Sequence, residues 1–165
     1  MAFQHQRHQP PRQLQRPREM LVVCGPMRSN VNLSRIVRAA SCCGLTRIVG
    51  TGPSRLVRKI ARDGADAIEF ETHRTLPPVL DALRREGYRL VGLEQTTHSQ
   101  DLHRYAFQRK TALVIGNERT GLTDEVLEKL DDVVEIPVWG PPHSYNAATA
   151  TVMAMYEYCR QFPAG

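Results

Sequence analysis

Residues Val133–Arg160 read VVEIPVWGPPHSYNAATATVMAMYEYCR. The stretch opens as a short apolar strand, breaks at Gly140-Pro141-Pro142 and restarts as a helix that is apolar or small on nearly every face. Proline has no N–H to give to a sheet ladder, so Pro137 marks the end of the strand. Ser144 is a natural N-cap, and the helix is read as 144–160. Polar Ser144 and Asn146 then stand at the start of a buried helix, where free N–H groups point outward. A strand end that passes through a loop into a helix start is a common ligand site in an α/β fold. The same residues also suit a plain core strand and core helix.

Further strands are expected at Met20–Cys24, Arg47–Thr51, Ala67–Phe70, Arg89–Glu94 and Thr111–Gly116, each a short apolar run. Helical patterns lie between them. Leu33, Ile36, Val37, Ala40 and Gly44 fall on one face of the first, with Arg35 and Arg38 opposite. Pro77–Gly87 is an amphipathic helix with proline at its start and glycine at its end. Strands alternating with helices from about residue 20 onward predict an α/β fold, a mostly parallel sheet flanked by helices. In SRLVRKIARDG, helical spacing would put Arg55, Arg58, Lys59 and Arg62 on one stripe, with Leu56, Val57 and Ile60 turned away. Such a stripe can meet successive phosphates, or be simply a solvated face.

At 165 residues the chain has the length of one domain with a real core. Its net charge of +5 points to a polyanionic partner, although Arg7, Arg12, Arg16 and Arg18 of that excess lie in residues 1–18. That segment is poor in apolar groups and is expected to be a disordered basic tail ahead of a domain over 19–165. No apolar run is long enough to span a bilayer, and no signal-peptide h-region is present, so a cytoplasmic location is expected. Cys24, Cys42, Cys43 and Cys159 form neither a CxxC pair nor a zinc spacing; reduced, mostly buried thiols and no metal are expected.

Three segments carry a family resemblance. EIPVWGPPHSYNAATA is similar to the third motif of the SpoU (TrmH-type) RNA 2′-O-methyltransferases, with Tyr145 in place of the usual Leu and Ala147-Ala148 in place of Val-Ser. VIGNERTGL resembles the second motif at Gly116, Glu118, Gly121 and Leu122. NVNLSRIVRAA resembles the first at Asn32, Arg38 and Ala40, with Ser34 where the family has Gly. The phrase GLEQT also occurs in the branch that resembles tRNA guanosine 2′-O-methyltransferases, which tilts the expectation from rRNA toward tRNA.

The resemblance implies the SPOUT fold with a C-terminal trefoil knot, a homodimer, and methyl transfer from S-adenosyl-L-methionine to a ribose 2′-hydroxyl of RNA. It makes Arg38 the catalytic cation, with Asn32, Glu118, Ser144 and Asn146 as orienting groups. Cofactor contacts are implied at Glu94, Gln95, Gly116, Asn117, Glu118, Gly121, Ile136, Pro137, Ser144, Tyr145 and Asn146. A sulfonium methyl is already electrophilic, so the need is to help a weak hydroxyl nucleophile, which a nearby cation or base can do. Two other readings remain. One is an RNA-binding SPOUT protein without turnover, suggested by Tyr145 and Ala147. The other is a Rossmann-type nucleotide enzyme, for which GPMRSN after the first strand lacks G-x-G-x-x-G.

Overall fold

The computed structural model describes residues 2–6 and 9–165. Seven strands form one sheet: β1 (Leu21–Cys24), β2 (Arg47–Thr51), β3 (Glu69–His73), β4 (Arg89–Leu93), β5 (Gln100–Asp101), β6 (Thr111–Ile115) and β7 (Asp132–Glu135). Their order is β3-β2-β1-β6-β4-β7-β5, and every pairing is parallel. β1 and β6 lie at the centre and are buried along their whole length, which is why they read as continuous apolar runs rather than alternating ones.

Successive side chains of a strand point to opposite faces, and the register turns that alternation into two cores. Val22 pairs with Ile48 on one side and Leu113 on the other. These residues share a core with Leu33, Ile36, Val37 and Ala40 of helix α1 (Asn30–Cys42) and Ala154, Met155 and Tyr158 of helix α6 (Ala147–Gln161). Leu21, Val23, Leu90 and Val114 face the other way, onto Val79, Leu80 and Leu83 of helix α4 (Leu76–Arg85) and Val126 of the single turn α5 (Asp124–Leu127).

Several expectations shift. The last helix starts at Ala147, not at residue 144; its cap is Asn146, whose Oδ1 accepts from Ala148 N at 3.0 Å and Thr149 N at 3.3 Å. Ala67 closes the short helix α3 (Gly64–Ala67), so the third strand begins at Glu69. The basic segment is not a continuous helix. Only α2 (Arg58–Ala61) is helical; Arg55 precedes it and Arg62, at φ 53°, ends it. Cys24 is buried and Cys43 and Cys159 partly so, but Cys42 is exposed.

The N-terminal segment is docked from Leu14 onward. Gln15 N donates to Ala164 O at 2.9 Å. Arg18, only 8% exposed, donates to Cys43 O at 2.7 Å and Phe162 O at 2.6 Å, and so fastens the C-terminal ends of α1 and α6 to each other. Among the described residues no helix is long and apolar enough to cross a membrane.

Candidate active site

In a parallel sheet every strand delivers its carboxyl end to the same edge, and here three such ends surround one cavity of about 290 Å³. β4 supplies Leu93, Glu94 and Gln95; β6 runs into Ile115, Gly116, Asn117, Glu118, Arg119 and Gly121; β7 leads to Glu135, Ile136 and Val138. Ser144, Tyr145, Ala147 and Ala150 close the remaining side. Of the residues the sequence nominated for the cofactor, all but Pro137 and Asn146 form this wall. Pro137 sits in the chain between two wall residues, and Asn146 is engaged in capping α6.

The two glycines of the second motif have a steric reason. After β6 the chain folds back so tightly that Asn117 and Gly121 exchange backbone hydrogen bonds, at 3.1 and 2.9 Å. A Cβ on Gly116 would lie 2.6 Å from Gly121 O and Leu122 N, a distance real side chains do not adopt. Gly121 has φ +64°, and a Cβ there would collide with the Glu94 carboxylate. That carboxylate is fixed in turn, accepting from Leu122 N at 3.0 Å and Gln95 N at 3.1 Å. The Asn117 side chain braces the same loop, accepting from Arg119 N at 2.9 Å and donating to Pro26 O at 2.7 Å.

Glu118 joins the three motifs. Its carboxylate accepts from Arg28 N at 2.8 Å, Ser29 N at 3.1 Å and Asn32 Nδ2 at 3.1 Å. Asn32 Oδ1 accepts from Asn146 Nδ2 at 3.3 Å, and Asn146 caps α6. Ser29 caps α1 by accepting from Asn32 N at 3.2 Å. Partial burial works against the charge on Glu118, yet the hydrogen bonds from Arg28 and Ser29 N–H and from Asn32 hold its pKa below the ordinary glutamate range. A carboxylate so occupied is a clamp rather than a proton acceptor.

Arg38 is exposed on α1 and does not line the cavity of its own chain. It lies six residues beyond Asn32, about 9 Å along the helix. Ser144 lies on the wall but caps nothing. Arg55, Arg58, Lys59 and Arg62 are all exposed and none reaches the wall; Arg58 is paired with Asp66. Ser34, at the first motif's departure from glycine, proves to be structural. It is fully buried, donates to Asn30 O at 2.6 Å and accepts from Val57 N at 2.8 Å, while Asn30 Oδ1 accepts from Arg55 N at 3.1 Å. Sequence reading missed the walls given by Leu93, Ile115, Arg119, Glu135, Val138, Ala147 and Ala150; the first five lie at or just after strand ends near residues it did name, and the two alanines lie in the first turn of α6.

The sequence profile described as the SpoU rRNA Methylase family matches residues 19–156. The chain belongs to the SpoU family. Among similar proteins, the tRNA (guanosine(18)-2′-O)-methyltransferase of Escherichia coli K12 is 28% identical over 133 residues, covering 79% of this chain and 58% of that protein. A 23S rRNA (guanosine-2′-O-)-methyltransferase of Acinetobacter baylyi is 29% identical over 136 residues, 79% of this chain and 55% of the relative. The chain thus spans rather more than half the length of these relatives. Among solved structures, the A. aeolicus TrmH/SpoU tRNA modifying enzyme superposes with a TM-score of 0.84 at 23% identity, over 91% of this chain and 78% of that one. The SpoU methyltransferase AviRb from Streptomyces viridochromogenes, solved in complex with AdoMet, gives 0.76 at 26% identity, over 92% and 64%.

The Glu118 clamp predicts a pH dependence. Its folded pKa lies below the ordinary value of 4.5, so the stability it contributes is complete above that value and is lost as pH falls through the depressed one. Urea unfolding between pH 7 and pH 3 should show Glu118→Gln less stable than wild type by about 1–2 kcal/mol at neutral pH. The two should converge as the solution is acidified. Parallel pH profiles would mean that the carboxylate is not a native-state clamp.

Proposed function

We propose that this SpoU-family chain transfers a methyl group from S-adenosyl-L-methionine to a ribose 2′-hydroxyl of RNA, with tRNA favoured over rRNA by GLEQT and a cytoplasmic setting. The observation that carries the reading is the cavity walled by the second and third motifs, where Glu118 is joined to Asn32 of the first motif and, through it, to Asn146 of the third. The cavity suits the cofactor by its chemistry. Leu93, Ile115, Ile136, Val138, Ala147 and Ala150 give apolar walls for an adenine ring. Glycine-tight backbone at Gly116 and Gly121 lets a flat group approach the main chain, with Glu94, Gln95, Asn117, Ser144 and Tyr145 around it. When bound there, S-adenosyl-L-methionine supplies an electrophilic methyl on a sulfonium.

What the protein must add is help for a weak nucleophile. Arg38, free of any protein carboxylate partner among the described residues, is the group proposed to stabilise the charge that develops on the 2′-oxygen. Asn32 and Asn146 act as positioning residues. Presence of this whole polar set supports turnover over an RNA binder that has lost it. Arg55, Lys59 and Arg62 offer phosphate contacts although they share no helix face.

The insertion of β7 between β4 and β5, both earlier in the chain, supports the knotted path that the family implies. A homodimer through α1 and α6 is supported by the apolar residues these packed helices leave exposed: Val31, Met153 and Tyr156, at 39%, 37% and 70%.

Single-turnover methylation of unmodified tRNA and rRNA transcripts tests the reading. Wild type should incorporate methyl at a 2′-oxygen and sediment as a dimer. Arg38→Ala should fold and bind S-adenosylhomocysteine normally but lose about a hundredfold or more in rate. The pair Arg55→Ala and Lys59→Ala should weaken RNA binding and flatten its salt slope. Cofactor binding without methylation of any transcript would favour the RNA-binding reading, and an Arg38→Ala rate within twofold of wild type would remove Arg38 from the chemistry.

A further inference from the structure

The loop that closes the cavity carries a residue that the reaction described so far does not use. Val138 and Tyr145 both belong to the cavity wall, and between them the chain runs Trp139-Gly140-Pro141-Pro142-His143-Ser144 around its rim. Two prolines fix backbone angles there, and His143 N donates to Gly140 O at 3.2 Å, closing a turn. Trp139, the only tryptophan of the chain, is 83% exposed beside that turn. An indole held out in water forfeits the burial that normally stabilises so large a ring, so its placement has no folding rationale.

The neighbourhood is that of a polyanion with unpaired bases. Arg119 lines the cavity and is exposed, and Arg28 is exposed where its backbone N–H meets Glu118. Tyr145 adds a second partly exposed ring, at 40%. Cations that can meet phosphates, beside aromatic rings that can meet bases, form the combination by which proteins hold single-stranded nucleic acid. A ribose that must bring its 2′-oxygen to the cavity mouth is most easily presented when its base leaves the stack, and an aromatic face can hold an unstacked base in RNA recognition.

We infer that Trp139 is the stacking platform for an unstacked RNA nucleobase, that of the nucleotide whose ribose enters the cavity or its direct neighbour. The inference rests on the RNA reading above. It makes Trp139 a positioning residue: it touches the base and never the transferred methyl. Stacking is tolerant of base identity, so Trp139 contributes binding and orientation rather than sequence choice.

A lone tryptophan makes the test direct, because all tryptophan emission comes from this site. The 165-residue chain is saturated with S-adenosylhomocysteine and titrated with unmodified tRNA transcripts, and then with a single-stranded oligonucleotide. Emission is read alongside binding, and Trp139→Phe and Trp139→Ala are compared with wild type. Stacking predicts quenching as RNA binds, an RNA Kd about tenfold weaker in Trp139→Ala, and near recovery in Trp139→Phe. It also predicts unchanged S-adenosylhomocysteine affinity and an unchanged sedimentation coefficient for Trp139→Ala. RNA that binds without altering the emission, or equally well to Trp139→Ala, overturns the inference. So does a Trp139→Ala protein that changes its association state, which would make the indole a protein contact. Failure of any RNA to bind the wild type, with S-adenosylhomocysteine bound, sinks the RNA reading itself and is recognised separately.

Discussion

A glutamate carboxylate from the loop after β6 is held at once by two backbone N–H groups ahead of α1 and by the Asn32 side chain within it. That contact ties one side of the cavity wall to α1. Glu118 brings the second motif against the first, and Asn32, with its amide nitrogen turned to Glu118, presents its oxygen to Asn146. Asn146 in turn has its own oxygen committed to the start of α6. Each amide is oriented by the next, so the relay has one consistent arrangement of donors and acceptors. Charge-assisted bonds of this kind are among the stronger ones a fold can make.

Of the three relay side chains only Glu118 lies on the cavity wall; Asn32 and Asn146 stand outside it. Backbone bends at Gly116 and Gly121 are what allow the β6 loop to serve both purposes, since Glu118 lies between them. The division of labour is chemical as well. Glu118, with three donors on its carboxylate, is held in its ionised form, which is why the proposed chemistry assigns charge stabilisation to Arg38 rather than proton transfer to Glu118. The basic segment is tied to the same helix: Asn30 and Ser34 of α1 fix Arg55 and Val57 by their backbone, so any RNA contact made there is in register with Asn32 and Arg38.

How far the sequence carries this picture depends on the kind of signal. Arg47–Thr51 was legible to the residue, because a short buried run between helical patterns leaves little choice. The cavity wall at Glu94, Gln95, Gly116 and Tyr145 was legible through motif wording rather than periodicity. The cap was not: Ser144 and Asn146 are both good caps, and only the tertiary bond from Asn146 to Asn32 selects between them. The basic stripe failed for a related reason. Its spacing suits a helix, but buried Ser34 and half-buried Asn30 hold the backbone at Val57 and Arg55, leaving room for one turn. β5, two residues long, carries no pattern to read.

The central claim is that Glu118, through Asn32, sets Asn146 and so the shape of the cavity proposed to hold the cofactor. Glu118 and Asn146 share no direct hydrogen bond, which makes their energetic coupling a clean report on the relay. Calorimetric titration with S-adenosylhomocysteine, well below each protein's melting temperature, is compared for wild type, Glu118→Gln, Asn146→Ala and the double variant. The relay predicts that each single change weakens binding and that the double variant loses less than their product, a coupling of about 0.5–3 kcal/mol. Strictly additive losses, or single variants that bind as wild type does, would contradict it.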